Sequence, residues 1–164
     1  MNFLPGFVYF AGHLLDVDFR IERATPSDVA AIARLLTAAE LPTAGVDEGI
    51  DGFVVARDGQ FVLAVAGTER YDDAVLLRSL VVAPEARGCG LGARLVDERL
   101  MHGAREGAGE AYLLTTTAEA FFARLGFVAI RRDDVPDGVR ASEEFASLCP
   151  ASATVMHRTI DVRP

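Results

Sequence analysis

Six residues from Arg87 to Gly92, Arg-Gly-Cys-Gly-Leu-Gly, carry the clearest chemical signal in this sequence of 164 residues. They follow an apolar stretch and precede a segment with helical periodicity. Alternate glycines permit positive φ angles and remove the Cβ atoms that would keep an anion away. Such a loop before a helix can point successive backbone N–H groups at a phosphate. The sequence therefore predicts that the phosphates of any cofactor bind here.

Two other interpretations of these glycines stay open. A tight turn from strand to helix, without any ligand, would need similar residues. Gly88-x-Gly90-x-x-Ala93 also satisfies the dinucleotide-binding fingerprint, but that fingerprint follows the first strand of its domain and has an acid after the next strand. Here three or four predicted strands come first, and Glu110 precedes the following strand. The dinucleotide interpretation is therefore the weaker one.

Arg78 is the unusual residue of the apolar stretch before the loop, where it alternates with Leu76, Leu80 and Val82. Arginine stays protonated and cannot act as a base, and a buried one needs a carboxylate partner or an anionic ligand. A structural ion pair and a substrate anchor are both open. The nearby acids at positions 69, 72 and 73 are interpreted as a solvated turn, so no catalytic base is assigned.

The two cysteines, Cys89 and Cys149, are far apart in sequence and have no metal-ligand spacing. Cys149 is interpreted as a small buried hydrophobe, with a reactive thiol near an acceptor as the alternative. The three histidines are scattered along the chain. We therefore expect no metal site, and a reduced, cytoplasmic environment.

The formal net charge is −8, and all sixteen basic residues are arginines. This balance argues against nucleic-acid binding, which needs a basic surface. Residues 1–18 are apolar but interrupted by Pro5, Gly6 and Gly12, and they lack the positive start of a secretory signal. They are also too broken to span a bilayer, so no membrane contact is expected. We interpret residues 1–18 as an N-terminal extension of undecided role and residues 19–164 as a single domain.

The elements that must position these residues follow from periodicity and turn residues. Thr25-Pro26-Ser27-Asp28 predicts a helix start with Thr25 as N-cap, and Asp58-Gly59 predicts a type I′ hairpin turn. The predicted strands are 19–23, 53–57, 60–66, 74–82, 111–114, 127–131 and 154–160. The predicted helices are 26–41, 91–100 and 118–125, with a helical piece around 141–148.

Two motifs give a resemblance to a known family. Arg87-x-x-Gly90-x-Gly92, preceded by Leu80, Val82 and Pro84, resembles the acetyl-CoA signature of the GNAT N-acetyltransferase superfamily. Phe121-Phe122, followed by Leu125-Gly126-Phe127, resembles that family's later helix-and-strand motif. The resemblance covers about residues 19–160. It implies an α/β (α+β) GNAT fold: a mixed, mostly antiparallel twisted sheet, splayed at a central parallel strand pair, with helices on both faces.

The same resemblance implies an acetyl-CoA site in which the loop's N–H groups hold the pyrophosphate. The backbone of residues 80–82 would pair with the pantetheine arm, and the N–H near Val81 would stabilise the oxyanion. An amine of a small molecule would attack the thioester, helped by proximity. The residues implied in acetyl-CoA binding are Leu80, Val81, Val82, Arg87, Gly88, Cys89, Gly90, Leu91, Gly92 and Thr115.

Within the superfamily, residues 113–116, the aromatic pair and the tail through Ser152 resemble the acetyltransferase domain of N-acetylglutamate synthases. Residues 76–80, 144–145 and 147–153 resemble the small GNAT proteins of arsenic-resistance operons. An amino-acid-like or arsenic-related acceptor is therefore the leading interpretation. The candidate acceptor-binding residues are Arg78, Arg140 and Ser152.

Two departures from the family pattern motivate an alternative function. Phe122 stands where many members have a tyrosine that protonates the leaving CoA thiolate. Arg78 and Ser79 stand on the strand that often carries a carboxylate base. A non-catalytic acetyl-CoA-binding sensor is the alternative to an enzyme. Homodimers are common in such folds, and nothing in the sequence decides the oligomeric state.

Overall fold

The structure is a computed structural model that describes residues 19–161, so the predicted N-terminal extension lies outside the described residues. Seven strands form one sheet in the order β1-β2-β3-β4-β5-β7-β6. The strands are β1 (Arg20–Arg23), β2 (Phe53–Asp58), β3 (Phe61–Tyr71), β4 (Ala74–Val82), β5 (Glu110–Thr115), β6 (Val128–Ile130) and β7 (Thr154–Thr159). The helices are α1 (Val29–Ala38), α2 (Leu91–Arg105), α3 (Glu119–Arg124) and α4 (Asp137–Arg140), with a π-helical turn at Glu144–Leu148.

The sheet opens in its middle, between β4 and β5. These two strands form the parallel pair, and all the other neighbouring strands pair antiparallel. Ala74 to Leu76 pair with Glu110 to Tyr112, and beyond that point the two strands diverge. The predicted mixed sheet, splayed at its central parallel pair, is confirmed. The gap between the diverging strands is the place where a ligand can enter the sheet.

Helices cover both faces of the sheet, as predicted. Val55 and Val65 share a buried cluster with Ile32 of α1, whereas Ala56 and Leu95 belong to the cluster under α2. Successive strand residues point to opposite faces, so α1 and α2 lie on opposite sides. Among the described residues, no helix is long and apolar enough to cross a membrane.

The start of the first helical segment follows the predicted capping pattern. The Thr25 backbone N–H donates to the Asp28 carboxylate at 2.8 Å, and the Asp28 N–H donates back to the Thr25 carbonyl at 2.8 Å. Pro26 occupies the first position, where a missing N–H costs nothing. Arg57 of β2 pairs with the buried Asp28 carboxylate and thereby ties this helix start to the sheet.

The first hairpin turn lies one residue later than predicted. Asp58 pairs with Phe61, so the loop residues are Gly59 and Gln60 rather than Asp58 and Gly59. A type I′ turn needs positive φ at both loop positions, but only Gly59 has one, at +57°. The register shift between Ala56 and Arg57 explains the offset, because it moves the pairing by one residue before the turn.

β4 contains a bulge that the sequence did not reveal. Gly67 pairs with Arg78 and Val65 pairs with Val81, so Ala66 faces one residue more on β4 than a regular ladder allows. The extra residue is accommodated at Ser79, whose φ is +56°. Positive φ is uncommon for a residue with a side chain, and serine gives no sign of it in the sequence.

Candidate functional site

The gap between β4 and β5 holds a cavity of about 1270 Å³. Its walls come from residues 76–82 of β4, the glycine-rich loop with the start of α2, the end of β5, α3 and the segment before β7. We call the part around Gly88, Gly90 and the first turn of α2 the loop end. We call the part where Arg78, Glu144 and Cys149 reach the cavity the far end.

At the loop end the backbone itself faces open space. Gly88 and Gly90 have φ angles of +81° and +79°, and a Cβ built on either residue would meet no atom within 4 Å. Among the described residues, the N–H groups of Gly88, Cys89 and Gly90 have no backbone hydrogen-bond partner. The first N–H groups of α2 are also free by helix geometry. The loop end is therefore a cradle of N–H donors that fits a pyrophosphate.

Nine of the ten predicted acetyl-CoA residues line the cavity. They are Leu80, Val81, Val82, Arg87, Gly88, Gly90, Leu91, Gly92 and Thr115. The side chain of Cys89 is not on the cavity wall, since its thiol donates to the Ala86 carbonyl at 3.2 Å. Thr115 also shapes the loop before α3, because its hydroxyl accepts the N–H of Ala118 at 2.9 Å.

At the far end the polar groups are side chains, and Arg78 is at their centre. Its side chain is 3% exposed and pairs with Glu69 and with Glu144, the latter at 3.1 Å between Nε and Oε1. Its Nη2 donates to the Ala44 carbonyl at 2.7 Å, and its Nε lies 3.2 Å from the Ser79 hydroxyl. Arg78 thus forms a structural ion pair and also lines the cavity.

Glu69 does not lie in a solvated turn, and that interpretation was wrong for this residue. β3 continues to Tyr71, which confines the turn to Asp72 and Asp73. Glu69 contacts Arg78 and accepts a hydrogen bond of 2.6 Å from the Tyr71 hydroxyl. Burial, together with the Glu69 carboxylate, raises the pKa of Tyr71 to about 12. Tyr71 is therefore a neutral donor that helps to fix Glu69.

Cys149 reaches the cavity wall as a protonated thiol. Its Sγ donates to Glu144 Oε2 at 3.1 Å. Burial, with the hydrogen bond to the Glu144 carboxylate, raises the pKa of Cys149 to about 12. Because the thiolate is the reactive form, the structure favours the unreactive interpretation of this cysteine.

Two of the predicted acceptor-binding residues are not brought to the cavity. Arg140 is exposed and pairs with Asp137 within α4, and Ser152 is exposed in the turn before β7. The segment between β6 and β7 does line the cavity, but through residues 144 and 148–150 and through Ala153. The residue that sequence reasoning missed is Glu144. Its position beside Phe145 and four residues before Leu148, on the buried side of a helical turn, was the available signal.

Phe122 is a core aromatic that also touches the cavity. It is buried and makes edge-on contacts with Phe121 at 5.0 Å and with Phe127 at 5.8 Å between ring centroids. Its ring offers no proton at the position where many family members have a tyrosine. Within residues 19–161, no three His, Cys, Asp or Glu side chains are grouped so that they could hold a metal ion.

The part of the chain that holds the two motifs also matches a known protein family. Residues 49–129, just under half of the chain, match the Acetyltransferase (GNAT) domain family, and they include both the glycine-rich loop and the aromatic pair. The fold is the GNAT fold. N-acetylglutamate synthase from Neisseria gonorrhoeae, complexed with coenzyme A and N-acetyl-glutamate, superposes on this GNAT fold with a TM-score of 0.78 and 20% identity. That match covers 87% of this chain and 35% of the Neisseria chain, so this chain spans about a third of that enzyme.

Two smaller proteins share the GNAT fold over almost their whole length. Rv2747 from Mycobacterium tuberculosis, in complex with CoA and NLQ, has a TM-score of 0.73 and 24% identity, covering 85% of this chain and 98% of its own. A GNAT-family acetyltransferase from Staphylococcus aureus has a TM-score of 0.74 and 16% identity, covering 88% and 100%. The sequence matches no curated protein. These similarities establish the fold and leave the acceptor open.

Proposed function

We propose that this protein is an acetyl-CoA-dependent N-acetyltransferase that acts on the amine of a small molecule. The observation that carries the proposal is the N–H cradle at Gly88 to Gly90, which opens into the gap between β4 and β5. The match to the GNAT acetyltransferase domain supports the reaction type. The structural neighbours crystallised with coenzyme A support the identity of the donor.

When bound, acetyl-CoA supplies an acetyl group activated as a thioester. The amine nitrogen forms a bond to the acetyl carbon as the carbon–sulfur bond breaks; the nitrogen loses one proton, and the sulfur leaves as CoA and gains one. The chain's own contribution is positioning and electrostatics. The loop N–H groups would hold the pyrophosphate, and the backbone of residues 80–82 would align the pantetheine arm. The predicted oxyanion contact of the Val81 N–H does not fit the register: the Ala83 N–H donates to the Leu63 carbonyl, and the alternation of an antiparallel ladder then directs the Val81 N–H to Val65 of β3.

The proposal names acetyl-CoA as the donor, but it describes the acceptor only as a small-molecule amine. N-acetyl-glutamate is present in the Neisseria complex and NLQ in the Mycobacterium complex, which makes an amino-acid-like acceptor one hypothesis for this chain. An arsenic-related acceptor, suggested by residues 76–80 and 147–153, stays a prediction. A cytoplasmic location and a homodimer are likewise untested expectations.

A non-catalytic acetyl-CoA sensor is the second candidate. The buried Phe122 favours it, because no hydroxyl stands at that position to protonate the leaving thiolate. Multiple-turnover release of CoA with any amine would exclude the sensor. Tight acetyl-CoA binding without turnover across a broad panel of amines would exclude the enzyme.

The donor site is tested by Gly90→Glu. Carbon atoms and a negative charge would be added to the cradle, so we expect acetyl-CoA affinity, measured by calorimetry, to fall about a hundredfold or more. Gly59→Glu is the matched control, since Gly59 also has positive φ and open space around it but lies in the β2–β3 turn. We expect the two variants to lose similar amounts of stability. Only Gly90→Glu should lose affinity for acetyl-CoA. Unchanged affinity in Gly90→Glu would overturn the donor assignment.

A further inference from the structure

The charged side chains on the cavity wall are unevenly distributed between its two ends. Five of them line the cavity: Glu40, Arg78, Arg87, Arg124 and Glu144. Arg87 lies in the glycine-rich loop and Arg124 on α3, whose Phe121 ring stands against Gly92. Among the charged residues that line the cavity, the two arginines without a described carboxylate partner therefore belong to the side that the phosphates of CoA would occupy. The far end keeps Glu144 and Arg78, with Glu40 at the end of α1.

The positive charge of Arg78 is already paired with two carboxylates. Each of its three guanidinium nitrogens already has a partner: Glu144 and Ser79 for Nε, Glu69 for Nη1 and the Ala44 carbonyl for Nη2. Two carboxylates face this one cation, so the cluster of Glu69, Arg78 and Glu144 carries a net charge of −1. A substrate carboxylate entering the far end would meet this charge, and among the described residues no cation other than Arg78 lines the cavity there.

Glu144 has capacity for a substrate cation. Its side chain is 9% exposed, and that exposure is on the cavity side, where the residue forms part of the wall. Among its described contacts, Oε1 lies 3.1 Å from Arg78 Nε in the ion pair, and Oε2 accepts a hydrogen bond from the Cys149 thiol. A carboxylate offers about four acceptor positions, so each oxygen retains one. A buried carboxylate with open acceptor positions favours an ammonium group.

We propose that the acceptor is a cationic amine without a carboxylate group, and that Glu144 binds its ammonium group at the far end of the cavity. Where that group is the reacting nitrogen, it releases one proton to solvent before the attack, and the second proton it loses balances the one that the CoA sulfur gains. This inference rests on the proposed N-acetyltransferase function and narrows its substrate class. Tyr71 and Glu69 take part indirectly, because they hold Arg78 and thereby fix the Glu144 carboxylate. The proposal replaces the amino-acid-like acceptor suggested by the sequence.

Pairs of acceptors that differ only by the α-carboxylate test this proposal. CoA release is measured with phenethylamine against phenylalanine, isoamylamine against leucine, agmatine against arginine and cadaverine against lysine. We expect kcat/KM to be about tenfold or more higher for the amine in each pair that reacts, because the amino acid adds a negative charge beside Glu144. Equal or higher values for the amino acids would overturn the proposal.

Glu144→Gln and Glu69→Gln form a matched pair of variants. Each removes one negative charge from the Arg78 cluster and keeps the shape, but only Glu144 lines the cavity. The amine preference should fall several-fold or vanish in Glu144→Gln and fall less in Glu69→Gln, which also neutralises the cluster but leaves the Glu144 carboxylate on the wall. A preference that survives in a folded Glu144→Gln variant contradicts the role of Glu144. If that variant does not fold, the wild-type comparison still decides the substrate class.

A binding measurement separates this inference from the proposed function. Calorimetry with the CoA-loaded wild-type protein, titrated with the same pairs, reports the preference without any turnover. Amines that bind more tightly than their amino acids but are never acetylated would support the charge inference and refute the enzyme. Acetylation with a preference for amino acids would support the enzyme and refute the inference. Binding of neither class would refute the inference.

Discussion

At the loop end of the cavity the polar groups are backbone N–H groups from one continuous stretch around Gly88 and Gly90. At the far end they are side chains drawn from β3, β4 and the segment before β7, gathered around Arg78. The first arrangement depends on local backbone conformation, whereas the second depends on how distant elements pack. Binding at the two ends should therefore respond differently to the same kind of substitution.

The largest difference is expected when an arginine is replaced at each end. Arg78→Leu would leave Glu69 and Glu144 without their cation, and breaking a buried pair costs about 3–5 kcal/mol of unfolding free energy. Arg87→Leu, at an exposed position, should change the free energy of unfolding by no more than about 0.5 kcal/mol. Urea denaturation of both variants measures this.

Acetyl-CoA affinity should show the opposite order. Where Arg78→Leu remains folded, its affinity should match the wild type within about twofold, while Arg87→Leu should bind several-fold more weakly because it loses a cation near the phosphates. Two outcomes would contradict this division of roles between the two ends of the cavity. One is an equal loss of unfolding free energy in both variants, and the other is a loss of acetyl-CoA affinity in Arg78→Leu alone.

The next largest effect concerns the Cys149 thiol, measured in a Cys89→Ala background so that a single cysteine remains. A pKa of about 12, against the ordinary 9.0, means that the reactive thiolate is populated about a thousandfold less at pH 8. Alkylation by iodoacetamide, followed by mass spectrometry, should be slower than that of a free thiol by about this factor. The rate should increase about tenfold per pH unit until the thiol titrates.

Loss of the native structure supplies the control for this experiment. In urea the burial and the Glu144 contact are lost, so the rate should return to that of a free thiol. A native rate equal to the denatured rate would show that the far end does not hold Cys149 as described. Because the thiol's pKa is raised in the folded state, its contribution to stability should be lost as the pH rises from about 9 towards 12.

The smallest effect is expected for Cys89→Ala. Although Cys89 lies inside the glycine-rich loop, its side chain is directed to the Ala86 carbonyl and does not line the cavity. Acetyl-CoA affinity should stay within about twofold of the wild type, since backbone N–H groups supply the binding and alanine leaves them unchanged. A large loss of affinity would show that side chains contribute more to the loop end than its geometry indicates.

The loop end could be predicted because its structure depends on residues that are neighbours in the sequence. Glycine spacing reports backbone conformation directly, and the apolar residues that precede Arg87 place the loop after a strand. The splayed sheet followed from the resemblance to a family with that fold. The hairpin turn at Gly59 was displaced by a bulge, which depends on pairing between strands and leaves little trace in either strand alone.

The far end could not be predicted for the converse reason. Glu69 and Arg78 lie nine residues apart on the β3–β4 hairpin, but Glu144 comes from the segment before β7, and only the packed fold brings it to them. Glu69 lies near the turn at Asp72 and Asp73, so the residues around it predicted that it would be exposed to solvent. Arg140 and Ser152 lie in the correct segment but are exposed: Arg140 ends the short helix α4, which presents only one side to the sheet, and Ser152 lies in the turn before β7.

The bulge at Ser79 bears on how this protein can evolve. β4 has one residue more than the stretch of β3 that it pairs with, and the surplus lies between Arg78 and the residues that lead to the loop. Substitution at position 79 leaves the residue count of the strand intact. Deletion of the surplus residue would leave the pairs Gly67–Arg78 and Val65–Val81 in place and make this part of the ladder regular, without a positive φ at position 79. Descendants of this sequence can therefore lose the bulge by a one-residue deletion and still keep Arg78 on its present face of the sheet.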